Sequence, residues 1–332
     1  MNNIKKIKVG ICIPPPVTKG QSASIHYGGI GRLPLNTQQK LIGMIKEIKN
    51  VEIHMDINFR NSFIRDGKVY ANDFCLNELD IFFWYCEVDR SVGSYDLDVL
   101  KTLAQDIKVV INPQSFEVGL DKYASHLAIK RAGGSVAETV LFDYKNLHYM
   151  ERVLKEWGAA VLKPRRGGFG KGVTFINSFA ILRDVADYIY STTETTPDKA
   201  YMLERFYDNS LNDWVSVTII NGEIMYGYRK RKTKLVEMSN GITKVYDGNE
   251  IGGEVDGCEV PLLCREEALK AYRAIGAEII GFDMIYNGGK PIIIDENTFP
   301  GYYEDIFKEV GRDPAEEFYK LIISEINKIR YQ

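Results

Sequence analysis

Gly281-Phe282-Asp283-Met284-Ile285 is followed, beyond Asn287-Gly288-Gly289, by Ile292-Ile293-Ile294-Asp295-Glu296-Asn297-Thr298-Phe299-Pro300-Gly301. Apolar runs on either side of an Asn-Gly-Gly turn predict an antiparallel hairpin, Phe282 to Tyr286 against Pro291 to Asp295. Side chains alternate between the faces of a strand, so Asp295 and Asn297 point one way and Glu296 the other. The partner strand can bring Asp283 beside the first pair. Two carboxylates and an amide oxygen on one face suit Mg²⁺, which keeps its remaining positions for phosphate and water. A solvated strand face with a turn after it is the plainer reading. The apolar run Pro291 to Ile294 argues against it, because unpaired acids on a buried strand are costly.

Upstream lies Val161-Leu162-Lys163-Pro164-Arg165-Arg166-Gly167-Gly168-Phe169-Gly170-Lys171-Gly172-Val173. It is rich in Gly and basic residues but is not a Walker A loop: no Gly sits five before Gly170, and no Ser or Thr follows Lys171. A strand follows it, not a helix, so a helix-terminus phosphate site is not expected. What remains is a hairpin loop whose backbone N–H groups can close over phosphates. Lys163, ending an apolar strand, would project its ammonium into that site. A surface hairpin without ligand is the alternative.

Elsewhere the pattern divides the chain in three. Residues 1–115 read as an open α/β lobe: strands at Ile7 to Ile13, Val51 to Ile57, Asp80 to Tyr85 and Lys108 to Asn112, with a helix at Leu35 to Ile48. Residues 116–200 read as a small α+β lobe with helices at Asp121 to Ala132 and Phe179 to Tyr190. Residues 201–332 read as an antiparallel sheet lobe: strands at Tyr201 to Glu204, Asp213 to Ile220 and Glu223 to Tyr228, and a helix at Arg265 to Ile279. The last helix starts with Asp313 as N-cap and Pro314 behind it, and carries Phe318, Ile322, Ile326 and Ile329 as a core stripe.

With 332 residues and a net charge of −3, nothing points to nucleic acid or a membrane surface. No apolar run approaches the ~18 residues of a membrane span. Cys12, Cys75, Cys86, Cys258 and Cys264 are scattered without a Cys-x-x-Cys, which suits a reducing cytoplasm and argues against zinc or a disulfide framework. His26, His54, His126 and His148 show no metal spacing and read as structural.

Taken in order, these features resemble the ATP-grasp enzymes. The nearest branch is that of glutathione synthetase and the bacterial enzymes that add glutamate to peptide tails. The resemblance runs from about Asn112 onward, with a pre-ATP-grasp lobe ahead of a central lid lobe and a C-terminal lobe. It implies ATP and Mg²⁺ (with Mn²⁺ as an alternative ion), and a ligase that joins a carboxylate to an amine through an acyl phosphate. The two lysines of the family fall on Lys122, after Asp121, and on Lys163. Gly167, Gly168, Gly170 and Lys171 then belong to the phosphate loop. The hinge acid and ribose acid fall on Glu204 and Asp213, with adenine against the backbone near Arg205 and Phe206. The metal ligands fall on Asp283, Asp295 and Asn297, and a nucleotide-holding Asn on Asn240.

One position departs from the pattern. Val215 stands where this branch often has Arg, two residues after the ribose acid. The cluster Arg229-Lys230-Arg231-Lys232 is the candidate replacement, so Arg229, Lys230 and Arg231 join Asn240 as the expected catalytic set; a solvated strand end is the alternative. Expected partners are a small-molecule carboxylate and amine, with a homo-oligomer left open. Phosphotransfer without ligation and nucleotide binding without catalysis are the competing functions. The loop Ser22 to Arg32 and the pair Tyr302-Tyr303 are weaker candidates for substrate contact.

Overall fold

In the computed structural model the described residues are 6–13, 33–55, 57–168, 172–191, 201–210, 213–230, 235–237, 243–245 and 255–331. The first lobe runs β1 (Ile7–Cys12), α1 (Leu35–Lys46), β2 (Val51–His54), β3 (Phe63–Arg65), β4 (Lys68–Ala71), β5 (Phe74–Cys75), β6 (Ile81–Trp84), α2 (Tyr95–Leu103) and β7 (Lys108–Val110). Its sheet has the order β2-β1-β6-β7 with every pair parallel. The side chains of β6, Ile-Phe-Phe-Trp, are all buried, as a central parallel strand covered on both faces requires. Chain order reverses between β1 and β6, and the crevice outside their carboxyl ends is where open α/β sheets receive ligands. The β3–β5 meander and α2 were not anticipated, and the second strand stops at His54, three residues short of the expected end. Ser94 caps α2 by accepting from the Leu97 N–H, with Asp96 and Asp98 in the first turn.

Next come α3 (Pro113–Leu120) and α4 (Lys122–Arg131), then the lid elements β8 (Thr139–Leu141), α5 (Met150–Trp157), β9 (Ala160–Pro164), β10 (Thr174–Ile176), α6 (Phe179–Ser191) and β11 (Tyr201–Arg205). The lid sheet has the order β10-β9-β11-β8, antiparallel throughout. Leu147, Leu154, Leu162, Ile176, Leu182 and Leu203 form its own core. This corrects the expected boundary at residue 201: β11 lies between β9 and β8, so residues 201–205 are part of the lid. Nor is α4 a lid helix, for its Ile129 packs with Ala268, Ala271 and Ile275 of the third lobe.

The third lobe comprises β12 (Val215–Ile220), β13 (Glu223–Lys230), β14 (Leu235–Glu237), β15 (Thr243–Val245), β16 (Val255–Cys258), α7 (Leu262–Ile275), β17 (Ile279–Asn287), β18 (Lys290–Asn297), α8 (Glu304–Glu309) and α9 (Pro314–Arg330). Its main sheet is β16-β13-β12-β17-β18, antiparallel, and β14 pairs with β15. Gly276, at φ 76, ends α7 in the left-handed conformation that glycine adopts without strain. Ile279 therefore opens β17 and does not extend the helix. Helix α9 leaves its own lobe and packs on the first one: Phe318 meets Phe83 at 6.4 Å and Tyr85 at 4.8 Å between ring centres, and Lys40 of α1 pairs with Asp313 and Glu316. Among the described residues no helix is long and apolar enough to cross a membrane.

Candidate functional site

The hairpin β17–β18 sets Asp283 opposite Asp295 and Gly281 opposite Asn297, by way of a register shift between Asp283 and Met284. Asp283, which is 2% exposed, takes partners from the adjacent β12 and from β13 one strand further on. Ser216, its cross-strand neighbour on β12, donates from Oγ to Oδ1 at 2.6 Å, and Lys230 at the end of β13 donates from Nζ to Oδ2 at 2.9 Å. Asp295 accepts from Lys122 Nζ. Burial works to raise the Asp295 carboxyl, but Lys122, Lys163 and Lys230 outweigh it and hold its pKa below the usual carboxylate value. No group of three His, Cys, Asp or Glu side chains suited to a metal occurs among the described residues; the amide oxygen of Asn297, on the Asp295 side of the strand, is the remaining candidate donor. Two acids and an amide, all hard oxygen donors on one face, fit Mg²⁺.

Beside the β17–β18 hairpin, the start of α4 is clipped to the lid. Asp121 accepts from the Tyr123 and Ala124 N–H groups at 3.1 Å, which caps the helix, and also takes the Arg165 guanidinium through both carboxylate oxygens. The Lys122 N–H in turn donates to the Arg165 carbonyl at 2.9 Å. Lys163, on β9, donates to Glu204 Oε1 of neighbouring β11 at 2.6 Å and to the Ile294 carbonyl at 2.9 Å. Burial raises the Glu204 pKa, an effect that Lys163 only partly offsets. Burial also works against the Lys122 charge, but Asp295 and Glu296 prevail and its pKa is raised. The outcome is three cations, two buried and one half-buried, each matched to an acid: Lys122 with Asp295, Lys163 with Glu204, Lys230 with Asp283.

Other candidates fall outside this cluster. Arg229 alternates with Tyr228 and Lys230, so it points to the opposite face of the sheet, where its charge acts on Cys258 and Tyr286. Lys230 is the member of the basic run beside Asp283. Val215 also faces away, buried with Val217, Phe282 and Met284, where an Arg would be stranded. The Arg205 side chain turns outward to Glu138 at 3.4 Å. The N–H groups of Arg205 and Phe206 bond the carbonyls of Glu138 and Ala159. Asp213 is exposed and accepts from Ser210 Oγ at 2.8 Å. Gly167 and Gly168 stand at the end of the lid hairpin, Gly167 with φ 155. Gly170, Lys171, Arg231, Asn240 and the loop 22–32 lie outside the described residues. Tyr302 bonds Thr37 at 2.8 Å and Tyr303 packs on Tyr228 at 4.9 Å, so both join the packing between lobes.

Several contributors were missed from the sequence. Arg165 and Ser216 matter through non-local pairing, which no local motif encodes. Trp214 lies 5.2 Å from Lys230 Nζ and packs with Tyr207 against Ala137, Ile285, Ile292 and Ile294, forming an apolar wall beside the lysines. Glu296 does point away from Asp295, but into a buried niche: its carboxylate lies 3.3 Å from His126 Nε2 of α4. Burial pushes Glu296 up to about 8 and, with Lys163, takes His126 down to about 3. Burial thus favours the neutral form of both groups.

No family model matches the chain. The coenzyme γ-F420-2:α-L-glutamate ligase of Methanococcus maripaludis is 22% identical over 258 residues, 76% of this chain and 79% of that protein. The tetrahydromethanopterin:α-L-glutamate ligase of Methanosarcina acetivorans is 25% identical over 241 residues, 68% of this chain and 69% of that one. Among solved structures, D-cycloserine synthetase DcsG superposes with a TM-score of 0.65 at 10% identity, covering 96% of this chain and 99% of its own. The RimK-domain ATP-grasp protein of Sphaerobacter thermophilus gives 0.61 at 14% identity, covering 95% and 98%. The fold is the ATP-grasp fold. In sequence the chain is similar to the two glutamate ligases, and in fold to ATP-grasp proteins.

Proposed function

We propose that the enzyme joins the carboxylate of an amino acid or small peptide to an amine through an acyl phosphate, converting ATP to ADP and phosphate in the cytoplasm. The observation that carries this reading is the set of three lysine–acid pairs, each with at least one buried partner, where the lid, α4 and the β17–β18 hairpin converge. Lys122 and Lys163 hold the nucleotide phosphates, Lys230 adds a cation beside Asp283, and the apolar wall around Trp214 and Ile294 faces the base. In this reading Glu204 meets the adenine and Asp213 the ribose. Asp283, Asp295 and Asn297 would hold Mg²⁺ or Mn²⁺, which neutralises phosphate charge when bound.

A substrate carboxylate oxygen attacks the γ-phosphorus, the bond to the bridging oxygen breaks, and its electron pair leaves with ADP. The lysines stabilise the charge that moves during this step, so positioning and electrostatics carry the catalysis. The amine nitrogen then attacks the acyl carbon, loses a proton, and phosphate departs with the former carboxylate oxygen. The chain's residues bind and orient throughout, and no covalent enzyme intermediate is needed. The lid keeps water from the labile acyl phosphate.

The test is phosphate release from ATP across a panel of amino acids and short peptides, L-glutamate included, with mass spectrometry of the products. ADP, phosphate and an amide are expected in equal amounts, and hydroxylamine in place of the amine should trap a hydroxamate. A stable phosphorylated acceptor would move the assignment to a phosphotransferase. AMP and pyrophosphate would reject the acyl-phosphate route.

A further inference from the structure

The loop that leaves β6, residues 85–94, emerges at the crevice where the order of the first sheet reverses. Its own hydrogen bonds hold it firmly. The Asp89 N–H donates to Asp96 Oδ2 at 2.9 Å, Ser91 donates to Asp89 through both N–H and hydroxyl, and Arg60 reaches the Glu87 carbonyl at 3.4 Å. At the centre of this loop is Arg90, partly exposed, its guanidinium 5.7 Å above the ring of Phe299. Phe299 is fixed in turn by Trp84, Tyr85 and Phe116, and it follows the metal-binding Asn297 by two residues.

From the other side the lid reaches the same place. A side chain at Gly168 would stand 3.7 Å from Arg90 Nη1. Arg166 donates to the carbonyls of Arg90 and Ser91 at 3.4 and 3.1 Å and pairs with Glu117 of α3 at 3.3 Å. Arg90 is therefore where three parts meet: the end of the metal strand, the glycine-rich end of the lid hairpin, and the ligand crevice of the first lobe. The nucleotide end of the site already has Lys122, Lys163 and Lys230, and Arg90 enters from the opposite lobe.

We propose that Arg90 grips the substrate carboxylate and presents one of its oxygens to the γ-phosphorus, with Phe299 as the shelf that fixes the guanidinium plane. This deepens the ligase reading and rests on it. A planar fork of N–H donors matches a carboxylate in a way an ammonium does not, and stacking on an aromatic face holds the fork in place. Arg90 is thereby the residue that selects an anionic acid over a neutral amide or alcohol. Because Arg166 ties the lid to the carbonyls beside it, lid closure and carboxylate capture occur together.

The test uses the full chain with Arg90→Gln and Arg90→Lys, each checked for an unchanged melting temperature. In the first arm, calorimetry with AMPPNP and Mg²⁺ should give wild-type affinity for both variants. A loss of about tenfold or more there, the size of one charge-assisted contact, would assign Arg90 to the nucleotide phosphates and overturn the proposal. In the second arm, with the acid–amine pair that gives phosphate release in the wild type, Arg90→Gln should raise KM for the acid by about tenfold or more, with KM for ATP unchanged and Arg90→Lys in between. An unchanged KM for the acid overturns it. If the wild type releases phosphate with no pair, the ligase reading fails and takes this proposal with it.

Discussion

At the scale of single residues, the lysine–acid pairs separate folding from binding. Lys163→Met keeps the apolar stem and leaves Glu204 buried without its partner. Nucleotide affinity should fall about tenfold or more, and stability should fall as well. Adding Glu204→Gln should recover the stability without restoring nucleotide binding, with calorimetry and denaturant melts read side by side. Recovery of both would remove Lys163 from the phosphate site. Asp295→Asn should keep the fold but abolish most Mg²⁺-dependent turnover, whereas Glu296→Gln should do little at pH 7, because burial already favours the neutral form of the carboxyl it replaces. Equal losses in turnover would mean that both side chains share one face. His126 supplies the pH dependence. Its pKa is depressed from 6.5 to about 3 in the folded state, by burial first and then by Lys163, so its contribution is complete above 6.5 and lost as pH falls toward 3. The stability advantage of the wild type over His126→Gln should shrink by up to about 1.4 kcal/mol per pH unit through that window in urea titrations. Glu296 acts with the opposite sign: its raised pKa stabilises below 4.5, and that contribution is lost as pH rises through about 8. A strand's period of two made the shared side of Asp295 and Asn297 legible, but the Asn-Gly-Gly turn alone would set Asp283 opposite Ile294; a register shift between Asp283 and Met284, which no local pattern announces, brings it opposite Asp295. Lys230 could not be told from Arg229 in the same way: the strand runs two residues beyond the expected end at Tyr228, and only its pairing fixes the alternation. Val215 was opaque for a related reason, since which face of β12 is buried depends on α7 and β17.

At the scale of elements, the junction before α4 joins helix capping to lid attachment. Asp121 serves the helix through two N–H groups and the lid through Arg165. Asp121→Asn keeps an oxygen for the cap, whereas Asp121→Ala loses both roles, so the alanine variant should be less stable than the asparagine one by about 1 kcal/mol. Both variants should loosen the lid, read as faster hydrogen exchange at residues 160–164. Unchanged exchange there would show that Arg165 does not anchor the lid. Helices α1, α6 and α9 could be read from their apolar stripes, and the β17–β18 hairpin from its turn. The membership of β11 could not. Tyr201–Arg205 has the letters of a strand, but whether it pairs with β9 or β12 is decided by sheet geometry after the lid has folded. Helix α2 was missed because its nine residues follow a loop with no proline and carry a short stripe, Leu97, Leu100 and Leu103.

At the scale of the whole molecule, three lobes could be counted from changes in pattern, but their attachments could not. Helix α9 belongs by sequence to the third lobe and by packing to the first, where Phe318, Leu321, Ile322 and Ile326 are buried. At about 1.5–3 kcal/mol for each such side chain, an upper figure, its removal costs as much as a small domain's entire net stability. A chain stopped after Gly311 should therefore lose protection of the β6 amides in hydrogen exchange while the lid keeps its own; full protection of β6 would show that the first lobe stands alone. The docking also has a consequence for biosynthesis. Roughly 200 residues separate β7 from α9, so a ribosome adding about 5–20 residues per second exposes the first sheet for roughly ten to forty seconds before its last helix exists. Through that interval Phe83 and Tyr85 lack the Phe318 ring that packs on them in the folded chain, which leaves apolar surface that chaperones can shield.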